Sequence, residues 1–168
     1  KPQERKATSL RFTVDDFSYN KTELDMTGPL SSDGRILYRA IASYTGGETY
    51  LPNHQYDTIA FFPSVQFRFN DRTDLLIEGS VQSGATPSAD PRADWDLLLT
   101  EKTDTYGFGF DAKPIDSVKV SLSGNWSKSD GEADFQTPAN STLPAVKDID
   151  NYEDIELFTG KAWVEWQL

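Results

Sequence analysis

The run ILYRAIASY, residues 36–44, sets Tyr38, Ala40, Ala42 and Tyr44 against Arg39, Ile41 and Ser43. Successive side chains of a strand point to opposite faces, so a period of two builds one apolar and one polar face. The pattern recurs along the chain. Leu10, Phe12 and Val14 alternate with polar neighbours, as do Leu24 and Met26, then Ile59, Phe61, Pro63, Val65, Phe67 and Phe69. Leu75, Ile77, Gly79 and Val81 follow, then Tyr106, Phe108, Phe110 and Ala112, then Val118, Val120, Leu122, Gly124 and Trp126. The last run is Phe158, Gly160, Ala162, Val164, Trp166 and Leu168. No segment has the period of an amphipathic helix. The expected fold is all-β, an antiparallel up-and-down meander of about eight strands.

The connections are sorted by length. SSDGR, NDRT and KPID are short turns at alternate junctions, while polar segments 45–56, 83–104 and 127–150 are expected as longer loops between them. Short turns at one end and long loops at the other are the habit of an outer-membrane barrel, and a soluble sandwich has no reason to adopt it. The whole chain, 1–168, is expected as a single β-barrel domain. Within it, 83–94 is a loop or junction, rich in Pro, Ala and Asp, between hairpins 1–82 and 95–168.

Two solvents would accept the apolar face. A dry core leaves the charged face in water, as in a soluble β-sandwich or a lipocalin-like carrier. Lipid on the apolar face instead puts the charges in a lumen, where they pair or hold water. The charges on that face are Arg11, Glu23, Arg39, Arg68, Glu78, Lys119, Lys161 and Glu165. Tyr38, Tyr44, Phe69, Tyr106 and Trp166 lie near expected strand ends, where amphipathic rings suit a membrane interface. No stretch reaches the ~20 apolar residues of a transmembrane helix, so a membrane role would fall to strands. A net charge of -11 disfavours nucleic acid as a partner.

Residues 1–82 carry motifs in a telling order: Lys1-Pro2, Asp25 to Leu30, Asp33-Gly34, Leu37 to Arg39, Pro63-Ser64 and Asp71 to Leu75. This order resembles the start of the barrel in TonB-dependent siderophore receptors, and residues 95–168 resemble generic outer-membrane barrel hairpins. The resemblance implies a bacterial outer-membrane location, lipid against Tyr38, Ala40, Ala42 and Tyr44, and GPLSSDG as a periplasmic turn. For the family it implies uptake of a ferric siderophore through a plugged barrel of about 22 strands. Residues 1–168 hold neither a plug nor a TonB box, so TonB itself is not an expected partner. A stand-alone eight-stranded barrel with a binding or structural role is the alternative within the same fold class.

Catalytic chemistry has little to work with. The chain has no cysteine, and His54 is its one histidine, near Asp57 but with no third group to complete a catalytic set. The acidic clusters, including Asp148, Asp150, Glu153 and Asp154, lack the spacing of a calcium loop. The expectation is a non-enzymatic protein with no cofactor and no metal site. Ligand binding is expected at the rim of longer loops, through Tyr50, His54, Trp95 and Phe135, because aromatics on loops suit recognition.

Overall fold

Each alternating run forms a strand in the computed structural model, which describes residues 1–16, 18–48, 55–89, 96–136 and 149–166. The strands are β1 (Ala7–Val14), β2 (Asn20–Pro29), β3 (Ile36–Glu48), β4 (Gln55–Asn70), β5 (Thr73–Ala89), β6 (Asp96–Ile115), β7 (Val118–Gln136) and β8 (Ile149–Trp166). They form one sheet in sequence order, with every neighbouring pair antiparallel. This is the expected eight-stranded meander. Among the described residues β1 and β8 make no contact, so the sheet is an open wall.

The short turns are built by local chemistry. In the β2–β3 turn Ser31 Oγ donates to Asp33 Oδ1 at 2.5 Å, and Asp33 Oδ1 also accepts from the Arg35 N–H at 3.1 Å. Ile36 N–H donates to Ser31 Oγ at 3.0 Å, and Gly34 takes the left-handed φ of 70° that glycine adopts without strain. In the β4–β5 turn Asn70 Oδ1 accepts from the Arg72 N–H at 2.8 Å. Two prolines, Pro63 and Pro114, fall where the ladder is interrupted. The β4–β5 pairing omits Phe62 and Pro63 and resumes at Ser64↔Glu78, since proline has no N–H to donate. Pro114 lies in the register shift between Ala112 and Ile115.

The strands outrun the alternation that announced them. β5 continues to Ala89 and β6 starts at Asp96, so most of 83–104, expected as a loop, is paired strand. Likewise β7 runs to Gln136 and β8 starts at Ile149, within the expected loop 127–150. The first loop, expected at 45–56, is shortened by β3 reaching Glu48 and β4 starting at Gln55. The physical reason is that these extensions do not alternate: Thr100–Asp104 and Ser127–Glu132 are polar on both faces and Leu97–Leu99 is an unbroken apolar run, so neither carries a period-two signal.

The Ser31 hydroxyl, with the Arg35 N–H, holds the Asp33 carboxyl below its ordinary value near 3.8. A depressed carboxyl supports the turn above that ordinary value, and the support is lost as pH falls through the lowered one. The Arg35 amide resonance should therefore titrate in acid, and Asp33→Ala should remove that titration. Gly34→Ala should cost about 1–2 kcal/mol of hairpin stability, read by denaturant unfolding.

Candidate functional site

A single sheet has no second layer to hide a face, and the exposures show which face is occluded. The register places Leu10, Phe12, Tyr44, Ile59, Phe61, Phe108, Leu122, Phe158 and Val164 on one face, all exposed. Val14 on the same face is 81% exposed and Trp166 is 66% exposed. On the other face lie Thr27, Leu37, Ala60, Gln66, Ser121 and Ala133, all buried. The sheet therefore curls toward its polar face. Two cavities, of about 610 and 340 Å³, open along that concave side.

The convex apolar band has a definite height. It spans Ile59 to Phe69 on β4, Val118 to Trp126 on β7 and Phe158 to Trp166 on β8. Those are the roughly 9–11 residues a tilted strand needs to cross a bilayer. Tyr106 and Trp126, directly opposite in the register, stack at 5.6 Å with planes 21° apart and cap the band. One step beyond them the convex face turns ionic. Lys102 Nζ lies 3.2 Å from Asp104 and Lys128 Nζ 3.1 Å from Asp130, and the register sets Asp104 opposite Lys128 and Lys102 opposite Asp130. Phe108 covers Gly124 across the strands, and a Cβ there would come within 2.7 Å of the ring. Glycine leaves room for the ring to lie flat on the backbone.

The concave face carries Arg11, Glu23, Arg39, Arg68, Glu78, Lys119, Lys161 and Glu165 together, opposite to Phe61 and Val120. Several are paired. Arg39 makes a two-pronged bond to Asp25, at 3.0 and 2.7 Å, and Arg11 and Lys21 reach Glu23 at 3.4 and 3.2 Å. Lys119 lies 3.5 Å from Asp111, and Arg68 pairs with Glu4. Glu78 and Lys161 have no ion-pair partner among the described residues. Between them Gly107, Gly109, Ser123 and Asn125 occupy the intervening positions of β6 and β7: the Asn125 side chain covers Gly107, whereas a Cβ on Gly109 would meet nothing within 4 Å.

A strip of hydroxyls was not singled out in the sequence. Thr103 and Ser129 are 3.1 Å apart and Thr105 donates to Ser127 at 3.2 Å, a ladder crossing β6 and β7 on the concave side. Asp111, which accepts from Ser121 at 2.5 Å, and Asp74, which accepts from Gln66 at 2.5 Å, form a second cluster at the short-turn end. The signal existed in the spacing of Ser121, Ser123, Ser127 and Ser129, which continues the strand period past Trp126. Of the residues expected to bind ligand, Tyr50, His54 and Trp95 lie outside the described residues. Phe135 falls on β7, opposite Leu97, rather than in a loop.

No family model and no curated protein matches the sequence. Solved structures do resemble the fold. The ferripyoverdine receptor of the Pseudomonas aeruginosa outer membrane, bound to ferripyoverdine, aligns with a TM-score of 0.54 at 12% identity, over 98% of this chain and 35% of the receptor. The FpvAI–pyocin S2 complex aligns at 0.55 with 12% identity, over 98% and 34%. FpvA from P. aeruginosa PAO1 bound to pyoverdine aligns at 0.51 with 14% identity, over 98% and 31%. The chain thus has the fold of a barrel segment and spans about a third of the length of these receptors.

Side chains of Arg39 and Asp25 are 30% and 23% exposed, so the pair is less costly to break than a fully buried one. Arg39→Met should lower stability by about 1–3 kcal/mol by leaving Asp25 without its charge-assisted bonds. Adding Asp25→Leu should recover most of that loss. Urea unfolding of the two single variants and the double variant checks both expectations.

Proposed function

We propose that the chain is part of the wall of a bacterial outer-membrane β-barrel, with the convex band in lipid and the concave trough facing the lumen. The observation that carries this is the uncovered apolar face. A compact chain of 18.8 kDa exposes about 8,300 Å² by the usual scaling, whereas this sheet exposes 11764 Å². Part of that excess is the exposed apolar face, with Phe12, Ile59, Phe158 and Val164 each more than 60% exposed, and in water it forfeits the burial that stabilises an ordinary domain. Lipid removes that deficit. Water does not.

The sheet edges favour a wider barrel over an eight-stranded one. β1 has 8 residues and β8 has 18, so joining them would leave more than half of the outer edge of β8 unpaired. Additional strands on both edges resolve the mismatch. On this reading the protein is a non-enzymatic receptor component, and the distant likeness to structures bound to ferripyoverdine and pyoverdine supports a ferric siderophore as cargo. Ligand would first meet the rim away from the short turns, where Tyr50, His54, Trp95 and Phe135 fall in the sequence.

Tryptophan quenching tests the assignment of faces. The chain has four tryptophans, and single-Trp variants isolate Trp126, Trp166 and Trp163. In vesicles with brominated acyl chains, Trp126 and Trp166 should be quenched by lipid. Trp163, on the opposite face of β8, should instead be quenched by aqueous iodide. Quenching of all three by iodide alone, or a protein that stays monodisperse without detergent, would return the chain to the soluble class.

A further inference from the structure

The residues before β1 lie across the trough and are read by it one after another. Lys1 Nζ is 3.9 Å from Asp74 Oδ2, and the Lys1 carbonyl accepts from Arg39 Nη1 at 3.5 Å. Pro2 is buried. The Gln3 N–H donates to Thr27 Oγ1 at 2.9 Å, and that hydroxyl donates to the Tyr38 carbonyl at 2.9 Å. Glu4 pairs with Arg68. Side-chain charge, backbone donor and backbone acceptor are all engaged within four residues, by groups from β2, β3, β4 and β5.

The groove supplies complementary charge on its own account. Asp74 and Asp111 sit directly opposite each other on β5 and β6, an arrangement of like charges that disfavours the sheet unless a cation relieves it. Lys119 serves Asp111 and Lys1 serves Asp74. Arg68 offers the opposite sign on β4. Both cavities adjoin this strap: Asp74 and Arg68 line the larger one, and Lys1 with Arg39 lines the smaller.

We propose that the short-turn end of the trough is a docking groove for an extended peptide, filled in cis by Lys1–Glu4 as a releasable ionic strap. The cation subsite is Asp74, with Asp111 beside it. The anion subsite is Arg68, and Thr27 and Arg39 read the backbone between them. Reversibility follows from exposure. The side chains of Lys1 and Glu4 are 61% and 73% exposed, and ion pairs so open to water are individually weak. The two cavities lie next to each other along β4, where Gln66 lines the larger and Ser64, the next residue on the same face, lines the smaller.

The chain has no cysteine, so Pro2→Cys provides a single thiol at the buried position of the strap. In the full chain, labelling by a bulky maleimide should be slow at low salt and faster at high salt. Glu4→Arg, which alters only the strap, should speed labelling by about fivefold, the most that one screened surface pair supports. Arg68→Glu should do the same, and Glu4→Arg with Arg68→Glu should restore protection. Lys1→Glu combined with Asp74→Lys gives an independent second swap. A labelling rate indifferent to salt and to the single reversals, or protection that neither swap restores, would overturn the groove. A sheet lost in a trough variant is recognised by its mobility in unheated SDS, and Glu4→Arg then decides alone.

Discussion

The ladder of backbone hydrogen bonds is the interaction on which everything else in this molecule rests. Seven antiparallel pairings hold eight strands in one layer, and only Leu37, Ala60 and Ala133 among described hydrophobic residues are buried. An ordinary domain gains its stability from a core between two layers. Here the ladder is the fold, and the side chains are sorted between two surroundings instead of being packed into one interior. A solvent that cannot hydrogen-bond makes such a ladder harder to break, because a freed N–H or C=O has no water to turn to. The proposal of a lipid-facing wall therefore accounts for both the exposed apolar band and the persistence of a sheet without a core.

Within the band the sequence was legible. Alternation from Tyr38 to Tyr44, or from Val118 to Trp126, needs only the geometry of a strand to be turned into two faces. Turn chemistry at Ser31–Arg35 and at Asn70–Thr73 was equally plain, since Asp-Gly and Asn-Asp place their own side-chain acceptors. Beyond the band the code stops. Thr100 to Asp104 and Ser127 to Glu132 meet polar surroundings on both sides, so nothing obliges one face to be apolar, and strands there resemble loops in composition. Tertiary pairing decides those segments: Lys102 opposite Asp130 and Thr103 opposite Ser129 are register facts that no single segment contains.

The trough shows a similar division. Which charges share a face follows from parity along each strand, so the set from Arg11 to Glu165 could be read in advance. Which charges meet depends on how neighbouring strands are staggered. Arg39 finds Asp25 because β2 and β3 pair Thr27 with Arg39 and Asp25 with Ile41, one step apart on the same face. The contact between Glu4 and Arg68 spans 64 residues of chain and has no local signal at all. The same holds for Asp74 facing Asp111, where two acids far apart in sequence are brought together and then need cations around them.

Strand length adds a direction to this surface. The strands grow from 8 residues in β1 through 13 in β3 to 20 in β6, and β7 and β8 keep 19 and 18. Followed through the register, β1 lies level with Thr100 to Gly107 of β6, so β6 outruns it at both ends, and further at the short-turn end. At about 3.3 Å per residue the excess is roughly 13 Å at the loop end and roughly 26 Å at the short-turn end. The Thr103–Ser129 and Thr105–Ser127 hydroxyl ladder lies level with β1 itself, just past the Tyr106–Trp126 pair. Charge is not confined to the short-turn end, since Arg11 and Glu23 share the register level of Thr103 and Ser129. The contrast runs across the strands instead: the concave positions of β1–β3 carry Arg11, Lys21, Glu23, Asp25 and Arg39, whereas those of β7 are neutral from Ser121 to Ser129. Ion pairs between neighbouring strands hold the first side of the trough, and hydroxyl contacts hold the second.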